Sequence, residues 1–412
     1  MVPPIPLTRR EALEAWSGFA SRIPAYAQSR NAINEGHGNV SRLGAAIRFR
    51  LITEDEIITE TLAGHSFPIA EKWIQEVCWR RYWKGWLEKR PQVWSNWRLQ
   101  VAKLQHGLPP ETLARIDAVA AGRSGVACMD HIARELIETG YLHNHARMWW
   151  ASFWIHVERL PWELGANFFF RHLLDADPAS NTLSWRWVAG LQTPGKTYLV
   201  RLSNIRKYAP QLLRGNEARS GRLADDAVTA CCVEPTPVPI PQALSPCDTS
   251  LPLTTGRIGL WLHPDDLTPE VGPLADLRPV SAAACISDRV YHEIYQLSAR
   301  RMASLRTMLR DGLTRTAAHY DCPALALEQD DPVAGLCDWA KEQQLSGIVA
   351  LTPMVGPIHD MLGRLRRELA SMGILLTLIR RPSDEVAFSF ASAGFFPFWQ
   401  KMSSHLRQLL PP

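Results

Sequence analysis

The chain is sparing in the features that place a protein quickly. Its eight cysteines (78, 128, 231, 232, 247, 285, 322 and 337) are scattered and contain no C-x-x-C pair. Neither a zinc framework nor a disulfide scaffold is indicated, and reduced thiols in a cytoplasmic protein are the expectation. The opening "MVPPIPLTRREALEAW" has no apolar core after basic residues and is not expected to act as a secretory leader. No apolar run reaches the ~18 residues that a membrane-spanning helix needs, so no membrane partner is expected. There is no Walker loop and no G-x-G-x-x-G, and Ser41 lacks a G-x-S-x-G elbow. The "HNH" at 143–145 sits in one helical pattern without further ligands, so nuclease or metal chemistry does not follow, and no metal is expected. A net charge of +4 is too mild to demand a polyanionic partner by itself.

What remains is a globular composition with one excess. The 412 residues, 46% hydrophobic and 21% charged, suffice for two or three domains. Sixteen residues are tryptophan, and thirteen of these fall in the first 187 positions. Indoles are core or binding-surface residues, so this half is either densely packed or built around flat ligands.

Periodicity divides the chain. Up to about Tyr208, "REALEAWSGFASRI", "AEKWIQEVCWRRYWKGWLEK", "HNHARMWWASFWIHVE" and "LGANFFFRHLLD" carry apolar residues at helical spacing. "MDHIARELIETG" predicts a helix that stops at Gly140. Residues 1–210 therefore read as a helical domain. Residues 211–256, with "EPTPVPIPQALSPCDTSLPLTTG", read as a Pro-rich extended linker. Over 257–412, five short apolar runs ("RIGLWL", "SAAACI", "ALALE", "GIVALT", "ILLTLI") alternate with amphipathic helical segments, among them "DRVYHEIYQLSARRMASLRTML". That alternation predicts a Rossmann-like α/β domain with a parallel five-stranded sheet covered on both faces.

Two clusters can carry chemistry. Asn144, Arg147 and Met148 share one helix face, and a buried Arg147 needs a carboxylate, which Asp175 or Asp177 could supply. Such a pair is equally a structural link between helices. Between Glu71 and His106 lie eight Lys/Arg, three Glu and six Trp. Cations interleaved with indoles suit phosphates and splayed bases; the other reading is a basic helix whose tryptophans face the core.

Taken together, these stretches resemble the photolyase/cryptochrome family. "VSRLGAAIRFRLI" (40–52) resembles its phosphate-loop motif, and "WIQEVCWRRYW" (73–83) its Trp/Glu/Trp-Arg helix. "TGYLHNHARMWWASF" (139–153) and "LLDADPASNTLSWRWVAG" (173–190) resemble its two most characteristic flavin-site segments. The resemblance, closest to cyclobutane pyrimidine dimer photolyases, covers about residues 20–210 and implies FAD as cofactor. "RIGLWLHPDDL", "LALEQDDPVAGLCDWAKEQQLSGIVAL" and "AGFFPFWQKM" resemble the family's antenna domain, which ordinarily precedes the helical one. A circular permutation is the simplest account.

The resemblance implies roles for particular residues. Tyr26, Ser41, Arg42, Leu43 and Gly44 would hold the FAD pyrophosphate, with Arg80 assisting and Trp73 in the same cofactor-binding set. Arg147 would pair with Asp175 beside the isoalloxazine, Asp177 would order hydrogen bonds at its edge, and Asn181 would sit by N5. Trp185 and Trp162 would be the proximal and middle electron carriers, with Trp94, Trp97 or Trp154 as substitutes for an absent third. Glu76, Trp79, Asn144, Met148 and Trp187 would meet a flipped pyrimidine dimer, and Arg30, Lys84, Lys89 and Arg98 would contact DNA phosphates. The expected activity is light-driven splitting of dimers in UV-damaged DNA, by a monomer. A cryptochrome-like photoreceptor without repair is the alternative, and a flavin-free nucleic-acid binder a third reading. Val40, Gly44, Arg81, Trp149 and Trp150 depart from the family pattern, and with "LLPP" following the antenna-like segment no signalling tail is expected. The 257–412 domain would house any antenna chromophore: folate, deazaflavin, a second flavin or none.

Overall fold

The five apolar runs of the last third become the five strands of one sheet. In a computed structural model the described residues are 4–193, 196–215, 217–234, 237–247 and 256–409. Parts of the Pro-rich stretch (216, 235–236 and 248–255) and the closing residues 410–412 thus lie outside them. The strands are β1 (Ile258–Trp261), β2 (Ser281–Cys285), β3 (Ala324–Leu327), β4 (Gly347–Leu351) and β5 (Leu375–Ile379). Every pairing is parallel, in the order β3-β2-β1-β4-β5. β1, β2 and β4 are buried throughout, as strands covered on both faces must be.

Helices fill most of the rest. They are α1 (Arg9–Ala20), α2 (Ile23–Ser29), α3 (Gly44–Arg48), α4 (Glu54–Gly64), α5 (Phe67–Glu88), α6 (Gln92–Gly107), α7 (Pro110–Ala120) and α8 (Ala127–Thr139). They continue as α9 (Asn144–Ser152), α10 (Trp162–His172), α11 (Pro178–Val188) and α12 (Leu202–Tyr208). With the sheet come α13 (Ala299–Tyr320), α14 (Pro332–Glu342), α15 (Pro357–Ser371), α16 (Pro382–Phe390) and α17 (Phe395–Gln408). Among the described residues no strand precedes β1, in line with the helical reading of that half.

Spatial clustering gives two units that do not follow chain order. One comprises residues 1–4, 25–40 and 91–240; the other comprises 5–24, 41–90 and 241–412. In the first, α6 and α11 pack on α10, with Trp94, Trp97 and Phe170 in mutual ring contact. α8 ends at Gly140, whose φ of +70° closes the helix in the left-handed region. A Cβ there would lie 2.7 Å from Leu174 Cγ, so glycine is required on both counts. α9 runs on into one widened turn over Phe153–Val157.

In the second unit, Trp261, Ala283, Leu336, Trp339 and Ile348 anchor the core on one face of the sheet, and Leu260, Leu274, Ala282, Val349 and Ile379 that on the other. The helix expected over 288–309 is divided. A single widened turn (Val290–Ile294) is followed by Gln296 at φ +54°, and α13 starts afresh behind Ser298, whose hydroxyl accepts from Arg301 N at 3.3 Å. A serine cap outcompetes continued periodicity. α5 packs on α16 and α17. Gly85 makes that approach possible, since a Cβ would fall 2.7 Å from a Phe388 ring carbon and 2.9 Å from its Cα.

Candidate functional site

The acidic turn of residues 173–177 leads into α11, and each of its carboxylates has a separate task. Asp177 caps the helix, accepting from Ser180 N at 2.8 Å and Ser180 Oγ at 2.6 Å, with Pro178 in the first turn. This is the local chemistry that an Asp-Pro-x-Ser run favours. Asp175 meets Arg147 of α9 through two contacts of 3.0 Å, a forked pair with side-chain exposures of 10% and 23%. Of the two carboxylates the sequence left open for Arg147, Asp175 is the one engaged. The Arg147 Nε also donates to the Leu142 carbonyl at 2.9 Å, which fixes the plane of the fork.

α11 carries three further groups, Asn181 and Thr182 lying four and three residues before Trp185. Asn181 is buried, its amide donating to the Ala166 carbonyl at 2.9 Å. Trp185, 2% exposed, has an indole N–H without a partner among the described residues, and so has the Thr182 hydroxyl. Buried donors left unmade are costly. A cation–carboxylate pair, a fixed amide and orphaned donors beside a flat indole suit a polar aromatic ligand, and a flavin is one. The donor set fits.

Trp185 stands edge-to-face with Trp150 (6.1 Å, 80°) and Phe169 (5.1 Å, 83°). Trp150 is 5.2 Å from Trp154. Gly165 permits this crowding, because a Cβ would lie 2.4 Å from Trp185 Cη2 and 2.9 Å from Trp154 Nε1. Trp162 is buried, but no ring contact joins it to Trp185 among the described residues. Sequence reading gave Trp150 no place in the site; its spacing of four from Trp154 on one helical stretch was the available signal.

The other predicted residues of this unit are distributed as follows. Tyr26 is buried and Arg30 half-buried. Asn144, exposed, lies beside Met148, its Nδ2 3.7 Å from the Sδ. Trp187 stacks on Tyr198 at 5.7 Å. His143 caps α9 through its ring nitrogen, which accepts from His145 N at 3.2 Å. Burial, then the neighbouring rings of His37 and His145, push its pKa down to about 3.

That shift has a measurable consequence. Between about pH 6.5, the ordinary histidine value, and about pH 3, the unfolded chain takes a proton that the folded one refuses. Stability therefore falls as the pH falls through this window, by about 1.4 kcal/mol per unit from His143 alone. His143→Asn, which keeps a capping side chain, is expected to remove that slope in urea titrations between pH 6 and pH 4. An unaltered slope would contradict the assignment.

In the second unit, Ser41, Arg42, Leu43 and Gly44 form the turn into α3. Arg42 takes φ +56°, and Leu43 N donates to Ser41 Oγ at 3.4 Å. On α5, Trp73 stacks on Trp16 (5.7 Å, 12°) and abuts Phe19. Glu76 pairs with Lys72 at 3.0 Å, and Arg80 is half-buried.

Three residues of α5 and its end lie otherwise than expected. Lys84 is 3% exposed, 3.6 Å from Glu54, so it is spent inside the unit and not on a DNA phosphate. Lys89 is buried too, donating to Ser389 O and Ser392 Oγ at 2.9 Å each. Trp79 lies flat on Phe395, ring centroids 3.6 Å apart and 7° from parallel, so one indole face is already covered. The cations of α5, Lys72, Arg80, Arg81 and Lys84, spread over about half of the helix circumference, and Arg81 and Lys84 lie inside with carboxylates.

Residues 73–212 match the family described as the FAD binding domain of DNA photolyase. The deoxyribodipyrimidine photo-lyase of Neurospora crassa is 30% identical over 203 residues, which cover 47% of this chain and 32% of that protein. A counterpart from Thermus thermophilus is 31% identical over 208 residues, covering 48% of this chain and 46% of that protein. Among solved structures, the Synechocystis cryptochrome is 20% identical with a TM-score of 0.45, covering 53% of this chain and 48% of that one. The chain spans less than half the length of the curated relatives it matches.

Proposed function

We propose that the chain, whose residues 73–212 match the FAD binding domain of DNA photolyase, is a light-driven lyase of the photolyase/cryptochrome family that splits cyclobutane pyrimidine dimers in UV-damaged DNA. The observation that carries the reading is the forked Arg147–Asp175 pair, together with the helix-capping Asp177 and the buried Asn181. A charge pair so little exposed is held for a polar ligand as much as for the fold, and the orphaned donors on α11 would give that ligand partners.

Bound and reduced, FAD supplies the light-excited electron that opens the dimer. Asp175 and Arg147 orient the flavin plane, and Asp177 orders its polar edge. Asn181 offers a neutral amide, which tolerates a protonated ring where a carboxylate would add a buried charge. Trp185 is an oxidisable reserve of electrons, with Trp162 next in line. The family resemblance assigns the pyrophosphate to Ser41, Arg42, Leu43 and Gly44, with Arg80 and Trp73 in the same cofactor-binding set. Tyr26 completes the cofactor set. Glu76, Asn144, Met148 and Trp187 are the dimer contacts, and Arg30 a phosphate contact. The sheet follows the FAD-binding region in this chain, and we read that order as a circular permutation.

One observation favours a second reading, a photoreceptor without repair: Phe395 covers a face of Trp79, and Lys84 and Lys89 are turned inward. Illumination with a dimer-containing oligonucleotide separates the two. Loss of dimers supports the lyase; a light-reduced cofactor with intact dimers supports the photoreceptor.

A further inference from the structure

Open α/β sheets bind ligands outside the carboxyl ends of their strands, where the strand order reverses. Here that reversal falls between β1 and β4. The chain leaves β1 into His263, Asp265 and Asp266, β4 into Thr352–Met354, and β5 into Arg380 and Arg381. These residues ought to line a crevice. What remains of it is a cavity of about 10 Å³, no more than room for a single water.

The space is taken by Arg50. Its guanidinium, in a side chain 2% exposed, gives Nε to Glu54 at 3.2 Å, Nη1 to Asp266 at 2.9 Å and Nη2 to Asp384 at 2.7 Å. Arg381 forks onto both oxygens of Asp266 at 2.7 and 2.8 Å, sharing Oδ2 with Arg50. Arg48 pairs with Asp265 at 2.8 Å, and Asp265 is itself held by Met354 N at 3.1 Å. The backbone is stitched as well: Leu267 N donates to Phe49 O at 3.0 Å, and the Thr268 hydroxyl to Arg50 O at 2.8 Å. Burial alone would raise the Asp266 carboxyl, but Arg381 and Arg50 hold it well below its ordinary value. Arg50 adopts φ +53°, a left-handed backbone that costs an arginine about 1–2 kcal/mol. Strain of this kind persists only where surroundings over-determine it.

Arg50 lies six residues beyond Gly44, and only Ala45, Ala46 and Ile47 of α3 separate the Ser41–Gly44 turn from the anchored segment 48–50. We propose that the sheet's crevice is a guanidinium site occupied by the chain's own Arg50, and that Asp265, Asp266 and Asp384 are positioning residues for the Ser41–Gly44 turn. The crevice then has no room for an antenna chromophore at the strand reversal. The proposal rests on the reading of that turn as the pyrophosphate loop, and it deepens that reading by making FAD affinity depend on carboxylates remote in sequence.

The test uses Arg50→Gly in the full chain, which relieves the strained φ while emptying the guanidinium site. Folding is checked by circular dichroism, and all binding is measured well below the melting temperature. Amide exchange of residues 41–49 without FAD is expected to quicken relative to wild type. FAD affinity, read from quenching of free FAD fluorescence, is expected to drop about tenfold, the ordinary scale of coupling between linked sites. Millimolar methylguanidinium is expected to restore both, and methylammonium neither. Unchanged exchange, or wild-type FAD affinity in the folded variant, overturns the proposal. Should Arg50→Gly not fold, Asp384→Asn replaces it, with weaker FAD binding expected and unchanged binding overturning the idea. A wild-type protein that binds no FAD would instead fail the pyrophosphate-loop reading, while the exchange comparison still decides whether the latch exists.

Discussion

Replacing Arg147 with methionine is expected to strip the protein of most of its FAD and to lower its stability by about 2–3 kcal/mol. The figure lies below the 3–5 kcal/mol typical of breaking a fully buried pair, because Arg147 keeps some contact with water. The loss is asymmetric: methionine fills much of the volume, but Asp175, a carboxylate with 10% side-chain exposure, loses the forked guanidinium that faces it. Arg147→Lys should fall between, since it restores charge but not the fork. Urea titration of the FAD-free proteins measures the first effect, and cofactor content after gel filtration the second. If Arg147→Met unfolds with wild-type stability and retains FAD, the pair is neither structural nor functional, and the site has been misplaced.

Trp185→Phe is expected to abolish light-driven reduction of the bound cofactor while leaving FAD content near wild type. Phenylalanine keeps a flat ring against Phe169 and Trp150 but is far harder to oxidise than an indole. Steady-state absorption under blue light with an external reductant reads the result directly. Trp150→Phe and Trp162→Phe then locate the next carrier. The contact of Trp150 with Trp185, and of Trp154 with Trp150, makes that branch a competitor for the Trp162 route. Full photoreduction in Trp185→Phe would remove Trp185 from the electron path.

Local chemistry made much of this legible. The five strands are the five apolar runs: β1, β2 and β4, buried throughout, leave the uninterrupted apolar signature of strands covered on both faces, whereas the edge strand β3 and the start of β5 are apolar although partly exposed. The stop at Gly140 and the cap at Asp177 are short-range geometry, written in the residues that form them. From residue chemistry alone the Arg147–Asp175 pair was half legible: a buried arginine requires a carboxylate, but either Asp175 or Asp177 would serve; the family resemblance named Asp175, and the cap that Asp177 makes on α11 is the physical reason.

Contacts between distant residues were not legible. Arg50 meets Asp266 and Asp384 across 216 and 334 residues, and no periodicity links such positions. Lys84 and Lys89 misled for a related reason. A lysine on a tryptophan-rich helix reads as a surface cation, yet Glu54 in one case and the carbonyl and hydroxyl oxygens of Ser389 and Ser392 in the other make burial tolerable. Trp150 went without a role because a second tryptophan beside Trp149 reads as bulk until a third ring is seen against it.

The most direct measurement is illumination of the fully reduced protein with single- and double-stranded oligonucleotides carrying one cyclobutane pyrimidine dimer, followed by chromatographic counting of intact dimers. The account predicts that dimers disappear under near-UV or blue light and persist in the dark. Dimers that survive illumination of the reduced, FAD-loaded protein would contradict it.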